Sequence, residues 1–112
     1  MSHYKKLSED FAVAPQISPD DVPAIRAAGF KSIICTRPDN EDPGQPSAET
    51  IANAATQAGL SFYAIPVMSG VAPSSDAVIE MQEALNTLPG PVFSYCRSGT
   101  RAGVLWQLAT QK

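Results

Sequence analysis

Three stretches of the chain repeat one pattern: apolar residues at helical spacing, a glycine, then a short apolar run. In "DDVPAIRAAGFKSIICT", Val22, Ile25 and Ala28 keep a helical period, Gly29 follows, and residues 30–36 are rich in β-formers. In "SAETIANAATQAGLSFYAIPV" the same roles fall to Ile51, Ala55 and Ala58, then Gly59, then a strand at about 61–66. In "SSDAVIEMQEALNTLPGPVFSYC" they fall to Val78, Met81, Leu85 and Leu88, then Gly90, then a strand at about 91–95. A period near 3.6 predicts an amphipathic helix, and a short continuous apolar run bounded by turn residues predicts a buried strand. Glycine just past each helix is the expected C-terminal stop. Helix starts are marked as well. Ser18 with Pro19 precedes Asp20 and Asp21, and Ser74 or Ser75 precedes Asp76, each an N-cap with acids in the first turn.

Alternation of helix and strand predicts a three-layer α/β domain, a mostly parallel sheet flanked by helices. A further strand near 11–13 is expected at one edge. A final helix is expected from about Arg101, with Val104, Leu105 and Leu108 facing inward. The stretch "RPDNEDPGQP", 37–46, has no element pattern and reads as a functional loop. Residues 1–112 are expected to form one domain.

Composition narrows the function classes. The net charge is −3, where a nucleic-acid surface wants a basic patch, so no nucleic-acid partner is expected. The opening "MSHYKKLSEDF" lacks a secretory apolar segment, and no run approaches the roughly 18 apolar residues of a membrane span. The expectation is a cytoplasmic protein with no membrane partner. Two cysteines, Cys35 and Cys96, are too few for a disulfide scaffold. No cluster of side chains has metal-ligand spacing and no glycine-rich nucleotide loop follows the early strands, so neither a metal nor a cofactor is expected.

The chemistry concentrates in "PVFSYCRSGTRAGVLW", 91–106. Ligands of parallel sheets bind beyond the carboxyl ends of the strands, and Cys96 stands at such an end with a helix following directly. The amides of Arg97, Ser98, Gly99, Thr100, Arg101 and Ala102 are expected to converge as an oxyanion-binding loop, helped by the helix dipole. Gly99 allows the left-handed backbone that such a turn needs. Arg101 brings a planar fork suited to two oxygens of an oxyanion. A positive field of this kind favours thiolate at Cys96, making it the candidate nucleophile. Arg97 is a candidate for recruiting an anionic substrate.

On these residues the chain resembles the cysteine-dependent protein tyrosine and dual-specificity phosphatases, and among them the phosphatase-like domain of the bacterial β-lactamase-hydrolase-like proteins. The likeness extends over "QISPDDVPAIRAAGFKSIICTRPDNEDPGQPS", "GLSFYAIPV" and the Cys96 stretch. It implies a cysteine-phosphatase-like fold, Cys96 as nucleophile, Arg101 as oxyanion holder and a phosphate ester as small anionic substrate.

Four features depart from that family's pattern. Four residues rather than five separate Cys96 from Arg101; Tyr95 stands where the signature has His; Ala102 replaces the hydroxyl residue after the Arg; and "PVMSGVAPSS" contains no carboxylate where the general acid is expected. Asp76 is the nearest acid, and Asp39, Glu41 and Asp42 lie on the 37–46 loop, from which they could swing over the site. The six residues "CRSGTR" also resemble the active loop of rhodanese-type sulfurtransferases, which carry sulfur as a Cys persulfide and need neither acid nor hydroxyl. That likeness implies a sulfane-sulfur donor as substrate. The sequence lacks those enzymes' Asp-Val-Arg opening and Gly-His-Ile-Pro-Gly stretch. A third possibility is a phosphate-binding module with little turnover. Cys35 ends its strand beside the nucleophile's strand in the related fold, where some lipid phosphatases carry a cysteine that traps the oxidised nucleophile. A redox partnership with Cys96 would need Cα atoms within about 7 Å.

Overall fold

The computed structural model describes residues 4–111. Strands β1 (Lys5–Ser8) and β2 (Phe11–Ala14) form an antiparallel hairpin. A 3₁₀ turn at Pro19–Asp21 leads into α1 (Val22–Ala27), and then come β3 (Ser32–Cys35), α2 (Ala48–Gln57), β4 (Ser61–Ala64), α3 (Ser75–Thr87), β5 (Val92–Tyr95) and α4 (Thr100–Thr110). The sheet order is β1-β2-β5-β3-β4, and every pairing except β1–β2 is parallel.

Side-chain alternation divides the core into two apolar layers. Ala12, Ala14, Ile33, Cys35, Phe93 and Tyr95 face one cluster with Val22, Ile25 and Ile51 from α1 and α2. Phe11, Ile34 and Val92 face the other, with Met81 of α3 and Leu105 of α4. The three αβ units therefore form the three-layer domain expected from their repeated pattern. Local signals hold where they are local: the Ser74 side chain accepts the Ala77 N–H at 3.1 Å, and Gly29 and Gly59 take φ of +104° and +82° just past their helices. The Ser18 N–H donates to the Asp21 carboxylate at 2.9 Å.

Three expectations are corrected. The strand expected at 11–13 is not an edge: it lies between β1 and β5, and the four-residue β1 forms the edge instead. Val104 points outward at 42% exposure, because Leu105, Ala102 and Ala109 already fill the buried stripe of α4. The third helix stops at Leu88 in extended geometry rather than at a left-handed Gly90. Here Leu88 precedes Pro89, which disfavours helical backbone at that residue. Among the described residues no helix is long and apolar enough to cross a membrane.

The topology sets the site. From β2 to β3 to β4 the chain winds outward in one direction, then returns to insert β5 between β2 and β3. Right-handed crossovers then require α1 and α2 on one face and α3 on the other. The reversal leaves a crevice at the carboxyl ends of the central strands, where such sheets bind ligands. Cys96 follows β5 at that crevice.

Candidate active site

The loop after β5 is held by backbone contacts to both neighbouring strands. The Cys96 N–H donates to the Ala14 carbonyl at 3.2 Å, and the Gln16 N–H donates to the Arg97 carbonyl at 3.4 Å. Thr36, one residue past β3, donates its N–H to the Tyr95 carbonyl at 3.0 Å and its hydroxyl to the same oxygen at 3.3 Å. Gly99 then turns the chain at φ +94°, ψ −16°, and α4 starts at Thr100. A side chain at 99 would be strained by that φ, and its Cβ would lie 3.4 Å from the Ala14 backbone. The turn aims the Gly99 N–H at the Cys96 sulfur, 3.0 Å away. Cys96 itself has no exposed surface.

Arg101, in the first turn of α4, carries the charge of the site. Its Nη1 donates to Glu41 Oε2 at 2.7 Å and to the Val67 carbonyl at 2.8 Å, and its Nη2 donates to Glu41 Oε1 at 2.7 Å. A guanidinium has five N–H donors, and these contacts engage three. Among the described residues the Nε hydrogen and the second Nη2 hydrogen have no oxygen acceptor, and these two share one edge of the planar group. Glu41 thus grips the end of the guanidinium and leaves a fork on its side. The ion pair raises the Arg101 pKa, with a smaller contribution from the adjacent Cys96 sulfur.

Glu41 is set in turn by a second arginine. Arg37 is almost fully buried; its Nε donates to Glu41 Oε1 at 2.9 Å, its Nη1 to Gln16 Oε1 at 2.9 Å and its Nη2 to Asp42 Oδ2. Hydrogen bonds from Arg101 and then Arg37 overcome the cost of burial and hold the Glu41 carboxyl down at about 2. The loop 37–46 is not free to swing. Gln45 Oε1 accepts the N–H groups of Glu41 and Asp42 at 3.1 and 3.3 Å, and Gln45 Nε2 donates to the Pro38 carbonyl at 3.0 Å.

The remaining sequence candidates fall into two groups. Arg101 with its partner Glu41 comes together with Gly99 at Cys96. Asp42 pairs with Arg37 and, at 3.3 Å, with the exposed Arg97, so the latter serves as an outer partner of the loop. Ser98 and Thr100 bond to each other at 3.1 Å, and Ala102 is fully buried without a hydroxyl to offer. Asp39 lies apart, accepting the Ala48 N–H at 2.8 Å at the start of α2, and Asp76 sits exposed in the first turn of α3. Cys35 is in register with Tyr95, so the two side chains share a face. There the Cys35 thiol donates to the Arg37 carbonyl at 3.3 Å, and burial raises its pKa. Both cysteines are free thiols. Burial also raises the pKa of Tyr95, beside Cys35.

Arg37, Gln16 and Gln45 are site residues that the sequence reading missed. The available signal was an Arg followed by three acids within five positions, directly past a buried strand of a parallel sheet.

A family model described as "Beta-lactamase hydrolase-like protein, phosphatase-like domain" matches residues 3–112. The beta-lactamase hydrolase-like protein of Agrobacterium fabrum is 39% identical over 103 residues, and that of Xylella fastidiosa 35%. The matched region is 92% of this chain and 24% of either relative, so the chain spans about a quarter of their length. A crystal structure of a candidate phosphatase from Neisseria meningitidis superposes with a TM-score of 0.81 at 35% identity, over 91% of this chain and 72% of that one. The core catalytic domain of the PP-IP phosphatase SIW14 from S. cerevisiae, in complex with citrate, superposes at 0.71 and 17% identity, over 91% and 61%. At that identity the second likeness speaks for the fold.

Proposed function

Because this chain belongs to the phosphatase-like domain family of the beta-lactamase hydrolase-like proteins, we propose that it hydrolyses phosphate monoesters with Cys96 as nucleophile. The observation that carries this reading is the pairing of a sulfur capped by the Gly99 amide with an Arg101 whose side edge keeps two donors free. An oxyanion held on that edge presents its phosphorus to the sulfur, and the loop amides and helix dipole favour the charge that develops on its oxygens. Cys96 sulfur bonds to phosphorus as the ester P–O bond breaks, and the departing oxygen takes a proton from water. Water then attacks phosphorus, the S–P bond breaks, and thiolate and inorganic phosphate are released.

Glu41 has no proton to give near neutrality, since its carboxyl is held near 2, and Asp42 is committed to two arginines. Hydrolysis therefore proceeds without strong acid assistance and favours esters whose leaving oxygen is already stable as an anion. The same two facts, with the four-residue spacing and Ala102, favour a second reading: sulfur transfer. There Cys96 takes the outer sulfur of thiosulfate, sulfite leaves, and cyanide removes the sulfur as thiocyanate. No proton is needed at any step.

Two assays on one preparation separate the readings: phosphate release from an aryl phosphate, and thiocyanate formation from thiosulfate plus cyanide, each beside Cys96→Ser. The expected result is phosphate release that disappears in the variant. Thiocyanate formation with a sulfur-sized mass gain on Cys96, and no phosphate release, replaces hydrolysis by sulfur transfer. Anion binding with neither turnover reduces the domain to a phosphate-binding module.

A further inference from the structure

Beside Arg101 lies a trough of about 460 Å³, formed by the segment after β4 and the outer face of α4. Its walls are Val67, Val71, Pro73, Val104 and Leu108, and Thr100 and Arg101 line it as well. Two wall residues are large apolar side chains left in solvent, Val71 at 60% and Val104 at 42%, and Met68 in the same segment is 66% exposed. Arg101 is the one charged residue among those lining the trough. The residue that carries the anion fork in the reading above therefore lines an apolar cavity, and its Nη1 is bonded to the carbonyl of Val67 in the cavity wall.

We infer that this trough takes the apolar organic group of a phosphate monoester whose head is held by Arg101. The inference rests on the hydrolytic reading above and names its substrate class: one phosphate, one apolar group of the size of a single or fused ring. Such a cavity is within the range that binds small molecules. A polyphosphorylated leaving group is the wrong chemistry for it. Each further phosphate would be desolvated against valine and proline with no cation beside it. The exposed valines thereby acquire a role in selecting the substrate, which a solvated loop and helix face would not require.

The test measures binding apart from turnover. Methylphosphonate and phenylphosphonate are titrated into the wild-type protein by calorimetry or NMR, with inositol hexakisphosphate as a polyanionic probe. Burying much of a phenyl ring predicts at least tenfold tighter binding than for the methyl compound. In a Val71→Asn, Val104→Asn double variant the phenyl-to-methyl preference should fall towards one. Both positions are exposed, and retention of the wild-type unfolding temperature checks that the variant is folded. Equal affinity for the two phosphonates overturns the inference, and so does tighter binding of the hexakisphosphate than of phenylphosphonate. Hydrolysis of phenyl phosphate is followed in the same preparation. Cys96-dependent hydrolysis without a phenyl preference keeps the function and removes the trough. Absence of both hydrolysis and phosphonate binding removes both.

Discussion

Two loops meet at the carboxyl end of the sheet, the one after β5 and the one after β3, and they are built on different principles. Residues 96–102 take their shape from backbone: a left-handed Gly99, an amide on the Cys96 sulfur, and hydrogen bonds to Ala14 and Gln16. Residues 37–46 take theirs from side chains: Gln45 bridging its own loop, and Arg37 gathering Glu41, Asp42 and Gln16. A backbone cradle is insensitive to pH and to most substitutions of its side chains. A network of charges gathered on a buried arginine is sensitive to both, since removing one partner leaves the others unpaired. The two loops share Arg101, which belongs to the first by sequence and to the second by its ion pair.

The largest effect is expected where the loops join. Arg101→Lys keeps the charge but loses the planar fork that pairs with Glu41 and, in the hydrolytic reading proposed above, holds the anion. Catalytic efficiency should fall about 100- to 1000-fold, the usual cost of one oxyanion donor. Steady-state kinetics checks it; activity within a few-fold of wild type would mean that a point charge is sufficient.

The charged loop is broken most directly by Arg37→Met. The change leaves Glu41 and Asp42 short of a buried partner and should destabilise the fold by about 3 kcal/mol. Urea unfolding reads this, and a loss below about 1 kcal/mol would mean that the network contributes little.

Glu41 sharpens the contrast through pH. Its folded-state value of about 2 lies below the ordinary 4.5, so the stability it contributes is complete above about 4.5 and is lost as pH falls towards 2. Wild type should exceed Glu41→Gln by roughly 1 to 2 kcal/mol at neutral pH, allowing for partial exposure, and the gap should close on acidification through that window. Thermal unfolding at pH 7, 4 and 2.5 measures it; a gap of constant size would place the effect in packing rather than in charge.

The backbone loop offers an effect no larger than this one. Gly99→Ala imposes a left-handed φ on an L-residue, at a cost of about 1 to 2 kcal/mol. That loss should be the same at pH 7 and pH 4, unlike that of Glu41→Gln. A pH-dependent loss would show that the turn, too, leans on the charged loop.

The loop 96–102 was readable because its parts are neighbours in the chain. A cysteine at a strand end, a glycine three residues on and an arginine opening a helix declare their geometry within six positions. The resemblance to a known family started from those residues and extended over most of the chain. Strand positions were readable as strands, yet not their order: β2 was assigned to an edge that β1 occupies. On α4, Val104 fits the apolar period as well as Leu105 does, and only the position of α3 and the sheet decides which is buried.

By itself, then, the chain determined its αβ units, the turn at Gly99 and the placement of Cys96 and Arg101 at a helix start. These depend on φ/ψ preferences and on contacts a few residues apart. Tertiary structure alone decided that Glu41 faces Arg101 across 60 positions and that Arg37 is buried between Glu41, Asp42 and Gln16. Both pairings exist because the return of the chain after β4 inserts β5 beside β3, bringing the ends of those strands together. Charge complementarity can then act over a few ångströms between residues whose identities in the sequence carry no mark of the partner.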